Sequence, residues 1–131
     1  MSEIPEDLKY TEDHEWLRVE EDGLITVGIT DHAQGALGEL VFVELPEEGQ
    51  VFNKGDACAV VESVKAASDV YCPLGGLITD VNSNLADEPE LVNTNPHEGG
   101  WLFRIAPESE DVLDTLMDTI AYEEYLSGLE D

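Results

Sequence analysis

One lysine is placed where it could be chemically modified. Lys65 stands between a strand-like run that ends at Ser63 and another that begins at Ser68. Lysine amines are almost fully protonated at neutral pH, so this side chain is a poor catalyst unaided. At the tip of a hairpin it could instead enter the active site of another enzyme and be acylated, and the small residues Ser63, Ala66 and Ala67 leave room for that approach. An ordinary surface lysine is the alternative, which spacing alone does not exclude.

Residue patterns that support catalysis or metal binding are weak. The three histidines, His14, His32 and His97, are scattered and have no His or Cys partner at metal-ligand spacing. The sequence contains no Gly-x-Ser-x-Gly elbow, phosphate-binding loop or dinucleotide-binding pattern. We therefore predict no catalytic residue of its own and no metal site, so the chain is expected not to be an enzyme.

The two cysteines lie symmetrically about the lysine. Cys58 and Cys72 are each seven residues from Lys65, so a hairpin centred on Lys65 would make them near neighbours across two strands. Two thiols in a chain without a secretion signal favour small, buried, reduced residues over a disulfide framework.

The net charge restricts the possible partners. The chain has 31 Asp and Glu against 5 Lys and Arg, a formal charge of −26. Such a surface repels nucleic acid and anionic membranes, so we expect neither as a partner, although mimicry of DNA is conceivable. A heavily solvated surface is the favoured interpretation, with adaptation to high salt as a hypothesis.

The chain is also expected to be a soluble cytoplasmic protein. It lacks an apolar run long enough for a membrane span, and its acidic first residues do not resemble a signal or transit peptide. A processed protein of the mitochondrial matrix is the alternative.

The elements that must position Lys65 are mainly β. The alternation of apolar residues and the turns between them predict strands over Glu15–Val19, 24–29, 39–45, Ala57–Ser63, 68–72 and 101–105. In the strand over 39–45, Val41, Val43 and Leu45 are expected to alternate with Leu40, Phe42 and Glu44. A short helix over Asp31–Leu37 is expected to be capped by Thr30 or Asp31 and closed by Gly38.

A short pattern occurs twice, once on each side of Lys65. Pro46-x-x-Gly49-x-Val51 recurs as Pro73-x-x-Gly76-x-Ile78, which suggests a quasi-symmetric β structure around Lys65.

Residues 82–100 are expected to be loop. A helix is expected to begin near Ser109, where the apolar spacing predicts one face formed by Val112, Leu113, Leu116, Met117 and Ile120. A second helix is expected over 121–126, ending at Gly128. We expect one domain, 1–131, with a mainly β body over 1–106 and a C-terminal helical segment over 107–131.

Ordered motifs along nearly the whole chain resemble the glycine cleavage system H-protein family. The motif around the lysine, Glu62-Ser63-Val64-Lys65-Ala66, resembles its lipoylation site. The other matching motifs are Lys9-Tyr10-Thr11, His14-Glu15-Trp16, Val27-Gly28-Ile29-Thr30-Asp31, Ala33-Gln34, Leu37-Gly38-Glu39, Val43-Glu44-Leu45-Pro46, Ser68-Asp69-Val70-Tyr71, Pro89-Glu90-Leu91-Val92-Asn93 and Gly100-Trp101-Leu102.

The resemblance implies a fold and a cofactor. The fold would be a mainly β barrel-sandwich hybrid, like a lipoyl domain, with a short internal helix and a C-terminal helical segment. Lys65 would carry lipoate in amide linkage, attached by a separate lipoyl ligase or transferase, and Glu62 and Gly76 would help to present the lysine to that enzyme.

The resemblance also implies three partners in a cycle. A pyridoxal-phosphate glycine decarboxylase (P protein) would load the aminomethyl group of glycine onto the lipoyl arm. A tetrahydrofolate-dependent aminomethyltransferase (T protein) would take it, and dihydrolipoamide dehydrogenase (L protein) would reoxidise the dithiol. A monomer is the expected state for such a mobile carrier.

The loaded arm is expected to be sheltered on the carrier's own surface. Glu15 and Asp69 match positions with that role in the family, where their carboxylates would stabilise the cationic amine. Asp13 replaces a serine, and Ala36 a histidine, that some members have at those positions. Solvated surface charge is the alternative for these acidic residues.

Three other functions remain open from the sequence. The chain could be an H-like protein that relays lipoate to other acceptors, or a cofactor-free acidic protein that binds a basic partner. It could also be a carrier domain of the kind found in 2-oxo acid dehydrogenases, although those domains lack the N-terminal Tyr-Thr and His-Glu-Trp motifs.

Overall fold

A computed structural model gives the architecture of the protein. It describes residues 8–11, 14–20, 22–64, 66–97, 99–108 and 116–129, with Leu129 as backbone only. In the described part, no helix is both long enough and apolar enough to cross a membrane.

Two antiparallel sheets form the body of the protein. The larger has the order β1-β2-β3-β9-β8-β5, and the smaller has the order β4-β6-β7. The strands are β1 Lys9–Tyr10, β2 Glu15–Val19, β3 Ile25–Ile29, β4 Leu40–Glu44, β5 Val51–Phe52, β6 Ala57–Ser63, β7 Ala67–Tyr71, β8 Gly76–Val81 and β9 Phe103–Pro107. The main apolar core includes side chains of both sheets, such as Val27, Ile105, Val61 and Val70. The prediction of a mainly β fold is confirmed.

The first helix, α1 Asp31–Leu37, forms as the sequence predicts. The Thr30 hydroxyl accepts a hydrogen bond from the Ala33 amide at 3.2 Å, which satisfies one of the free amides at the start of the helix. Gly38 ends the helix at φ 87°, a conformation that glycine adopts without steric cost. Ala33 and Leu37 pack against the main core.

The expected alternation in β4 is wrong. Leu40 and Val43 are buried, whereas Val41, Phe42 and Glu44 are exposed. The register against β6 shifts between Leu40 and Phe42, which is a β-bulge. Because a bulge inserts one extra residue, the inward and outward positions change places within the strand.

The C-terminal helix, α3 Thr119–Leu129, begins earlier and ends later than predicted. The predicted helix before it is not continuous with α3, because Leu116 and Met117 are not helical. Met117 pairs with Tyr10 as a β-bridge, with its amide donating to the Tyr10 carbonyl at 2.9 Å. Ser109, Val112 and Leu113 lie outside the described residues. Pro107, expected in the helical segment, belongs to β9.

The region 82–100 is more ordered than a loop. It contains a 3-10 turn over Ser83–Ala86 and a short helix, α2 Leu91–Thr94. Leu85 and Val92 are buried in the main core, so apolar packing stabilises a segment whose Pro and Asn content suggests only turns.

Candidate functional site

The turn between β6 and β7 is closed by one serine. The Ser63 amide donates to the Ala66 carbonyl at 2.7 Å, and the Ser63 hydroxyl accepts from the Ala66 amide at 3.1 Å. Val64 and Ala66, which flank the predicted lysine, are exposed. Lys65 itself lies outside the described residues. From the sequence, Ser63 was expected only to leave room beside Lys65, because it is small. The hydrogen bonds of Ser63 show that it also fixes the turn.

A cleft of about 180 Å³ lies beside this hairpin. It is bounded by α1, the adjoining ends of β2 and β3, and the β6–β7 hairpin. Six aliphatic side chains line it: Ile29, Ala33, Ala36, Leu37, Val61 and Val70. Four polar side chains complete the lining: His14, Glu15, Ser68 and Asp69. The cleft therefore suits an extended apolar group that ends in a cation.

The two carboxylates predicted to face an amine, Glu15 and Asp69, line the same cleft. They differ in exposure, since Glu15 is only 2% exposed whereas Asp69 is open to solvent. The Thr11 hydroxyl donates to Glu15 Oε1 at 3.3 Å. A buried carboxylate interacts more strongly with a nearby cation than an exposed one does, because water screens it less.

His14 is a cleft residue to which the sequence analysis gave no role. Its φ of 66° is unusual for a residue other than glycine. Its Nδ1 lies 2.9 Å from the Tyr122 hydroxyl of α3, and its carbonyl accepts from the Thr30 amide at 2.9 Å. The available signal was its position beside Glu15 in the His14-Glu15-Trp16 motif.

Asn93 on α2 fixes the position of α1 above the cleft. Its Nδ2 donates to the Gly38 carbonyl and to Gln34 Oε1, both at 2.9 Å. Its Oδ1 accepts from the Leu40 amide at 2.9 Å. One side chain thus holds the end of α1 against the start of β4, a contact between distant segments that sequence patterns do not reveal.

The two predicted recognition residues lie in different sheets. Glu62 is on β6, two residues before the exposed Val64, and pairs with Phe42 and Ala67 in the register. Gly76 is buried on β8 and does not line the cleft. A Cβ at Gly76 would lie 2.2 Å from the Ala106 carbonyl oxygen, so this position excludes any larger residue for a packing reason.

The two cysteines are core residues below the hairpin. Cys58 is 7% and Cys72 1% exposed, as expected for buried thiols. The Cys58 thiol donates to the Val70 carbonyl at 3.3 Å. A hydrogen bond with Cys72, together with burial, raises the pKa of Cys58 well above its usual range. Because only the thiolate attacks disulfides, Cys58 is poorly suited to redox chemistry.

A metal centre has no support in the described ranges. No group of three or more His, Cys, Asp or Glu side chains there is arranged to hold a metal ion. The main features of the site are an exposed turn and an adjoining cleft, which is lined by aliphatic side chains and two carboxylates.

Comparisons with known proteins agree with this geometry. The family model for the glycine cleavage H-protein matches residues 8–128. The glycine cleavage system H protein of Halorhodospira halophila is 58% identical over 127 residues, which cover 97% of this chain and 98% of that protein. The Escherichia coli protein of the same name is 56% identical over 126 residues, covering 96% and 98%.

A solved structure extends the agreement to the fold. The crystal structure of a glycine cleavage system H protein from Mycobacterium marinum superposes with a TM-score of 0.85 at 38% identity, over 98% of this chain and 100% of that one. This confirms the predicted lipoyl-domain-like barrel-sandwich architecture. With the family model matched over nearly its whole length and two relatives more than half identical, this chain belongs to the glycine cleavage H-protein family.

Proposed function

We propose that this chain is the lipoyl carrier of the glycine cleavage system, with lipoate in amide linkage on Lys65. Membership of the family supports the carrier role. The observation that carries the assignment to this position is the combination of an exposed, closed turn at Val64 and Ala66 with a matching cleft beside it. The whole chain, 1–131, acts in this proposal as one carrier domain.

The turn is suited to modification by a separate enzyme. Ala66 and Ala67 are exposed and small, so an active site can close over the turn without meeting a bulky side chain. Ser63 fixes the backbone on both sides of position 65, which reduces the entropy lost when an enzyme binds the turn. A lipoyl ligase or transferase would form the amide with the lysine amine.

The cleft fits a lipoyl arm by its chemistry. Its aliphatic lining would exclude water from the hydrocarbon part of the arm. Glu15 and Asp69 would attract the cationic amine of the loaded arm, Glu15 more strongly because it is buried. When bound, lipoate supplies the thiol–disulfide chemistry, and the protein supplies position and shelter.

The carrier would link the three enzymes of the cycle. It would shuttle the aminomethyl group of glycine from the pyridoxal-phosphate decarboxylase to the tetrahydrofolate-dependent aminomethyltransferase, and dihydrolipoamide dehydrogenase would reoxidise the arm. Tethering raises the local concentration of the transferred group without any catalytic residue on the carrier. The relatives from Halorhodospira halophila and Escherichia coli are bacterial, which supports a cytoplasmic working form. A carrier that must visit three enzymes would work as a monomer.

Glu62 and Gly76 would contribute to lipoylation in different ways. Glu62 lies on β6 at the base of the turn, where an enzyme approaching position 65 can contact it. Gly76 allows β8 to pass close to β9, so its contribution to presenting the lysine would be indirect, through the stability of the β body.

Reconstitution with the partner enzymes tests the proposal. Chain expressed with lipoate is expected to support decarboxylation of glycine by glycine decarboxylase, while Lys65→Arg prepared in the same way is expected to be inactive. Lipoylated chain that fails in this assay but donates lipoate to other acceptor proteins would instead identify a lipoate relay. A chain that is never lipoylated and binds a basic protein would identify an acidic interaction protein.

A further inference from the structure

Three large apolar side chains are exposed next to the β6–β7 turn. Val64 is 69%, Val41 51% and Phe42 48% exposed. The bulge in β4 turns both Val41 and Phe42 outward, where a regular strand would bury one of them. Exposed apolar groups that cluster on one surface mark an interaction site more often than scattered ones do. We refer to Val41, Phe42 and Val64 as the turn patch.

The sheet register makes the turn patch continuous. Phe42 lies opposite Glu62, and Val64 comes two residues after Glu62, just past the end of β6. The Val64 amide donates to the Glu39 carbonyl at 3.2 Å, which brings the end of β6 beside the start of β4. Glu62 therefore sits between Phe42 and Val64.

The turn patch is separate from the cleft that would shelter the arm. The cleft is lined by residues of β7 and α1, by Val61 and by residues at the adjoining ends of β2 and β3, and it shares no residue with the patch. Sheltering the arm therefore does not explain why Phe42 and Val64 are exposed.

The charges around the patch define what can bind to it. Glu39 and Glu44 on the β4 side are exposed, and Glu62 lies beside Phe42, in a chain whose formal charge is −26. Protein interfaces commonly have an apolar centre and a polar rim, and here the rim carries carboxylates. A complementary partner needs an apolar recess bordered by Lys and Arg.

We propose that the turn patch docks the enzyme that acylates Lys65, with Phe42 and Val64 as its apolar anchors. The inference rests on the proposed function. The enzyme that forms the amide must bring the bare lysine side chain into its active site, so it must contact the residues beside position 65. Enzymes that act on the far end of a finished arm work one arm length from this surface.

The test compares lipoylation of matched variants. Purified apo chain is incubated with lipoyl ligase, ATP and lipoate, and kcat/KM is measured for wild type, Phe42→Thr/Val64→Thr and Val51→Thr. Threonine retains β propensity and removes apolar surface at an exposed position, so folding is preserved. Val51 is the control because it is 64% exposed and lies on β5, in the other sheet.

The double variant is expected to lose about tenfold or more in kcat/KM, mainly through KM, as for other interface anchors. Val51→Thr is expected to stay within about twofold of wild type, and wild-type kcat/KM is expected to fall as salt rises, because the charged border is screened. Lipoylation of the double variant at the wild-type rate would overturn the proposal.

A second readout separates the docking proposal from the carrier function. The double variant is lipoylated to completion with excess ligase and assayed with glycine decarboxylase, where activity close to wild type is expected. An equal loss in both reactions would show a general docking surface and overturn the assignment to the acylating enzyme. Failure of the wild type itself to accept lipoate would overturn the carrier function together with this inference.

Discussion

The two carboxylates of the cleft allow a test of whether the cleft protects the loaded arm from hydrolysis. Glu15 is buried and Asp69 is exposed on the same cleft. Charge-assisted hydrogen bonds contribute roughly 1.5 to 3 kcal/mol when water is excluded, whereas exposed ion pairs contribute about 1 kcal/mol or less. Glu15→Gln is therefore expected to accelerate hydrolysis of the loaded arm by about tenfold, and Asp69→Asn by less than about threefold. Mass spectrometry measures the rate at which the loaded arm is hydrolysed in wild type and in both variants. Equal rates in all three proteins would rule out the shelter role.

Gly76 allows a test of how closely β8 packs against β9. A Cβ at this position would lie 2.2 Å from the Ala106 carbonyl oxygen, so Gly76→Ala must displace β8 from β9. Overpacking of this kind costs about 1 to 3 kcal/mol, which should appear in the free energy of unfolding by denaturant.

The control is Gly35→Ala on α1, where a Cβ meets nothing within 4 Å. That change should stabilise the protein by up to about 1 kcal/mol, because alanine favours helix. If Gly76→Ala is as stable as wild type but is lipoylated more slowly, Gly76 acts in recognition and not in packing.

At the scale of elements, Tyr122 joins α3 to the cleft through hydrogen bonds. Tyr122 is fully buried, and its ring stacks on Tyr10 with centroids 4.5 Å apart. Its hydroxyl lies 2.9 Å from Thr30 Oγ1 and 2.9 Å from His14 Nδ1. The helix therefore supports both the cap of α1 and the His14 wall of the cleft.

This arrangement predicts a loss of stability at high pH. Burial raises the pKa of Tyr122 from 10.0 to about 12. The unfolded chain releases this proton first as the pH rises, so the contribution of Tyr122 to stability is complete below pH 10 and is lost towards pH 12. Denaturant unfolding between pH 9 and pH 11.5 is expected to show a steeper loss in wild type than in Tyr122→Phe. Tyr71→Phe, which removes a partly exposed tyrosine, should behave like wild type, and equal slopes in all three proteins would contradict the role of Tyr122.

Elements with local signals were predictable and those fixed by distant contacts were not. Thr30 and Gly38 mark the ends of α1 in the sequence, and β2 and β6 have the predicted bounds. The helix expected through Met117 fails there because that residue pairs with Tyr10, more than 100 positions away.

The same distinction applies to the site. The motifs around Lys65 and Glu15 could be identified from the sequence, because they resemble those of the glycine cleavage H-protein family. The bulge that exposes Phe42 and the bonds of Asn93 to α1 and β4 depend on partners that no local pattern specifies.

At the scale of the whole molecule, the acidic charge should make stability depend on salt. A formal charge of −26 on 131 residues gives self-repulsion in the folded chain, and salt screens it. We expect the Tm at pH 7 to rise by several degrees between low and molar NaCl. The rise should largely disappear near the sequence pI of about 4.1, where the net charge is small. A Tm at pH 7 that does not change with salt would contradict adaptation to high salt.

The modification of Lys65 is the most direct test of the proposed carrier function. Chain expressed in a host able to make lipoate is analysed by intact mass and by peptide mass spectrometry. One lipoyl adduct is expected, located on Lys65 and absent in Lys65→Arg. A lysine that remains unmodified after incubation with lipoyl ligase, ATP and lipoate would contradict it.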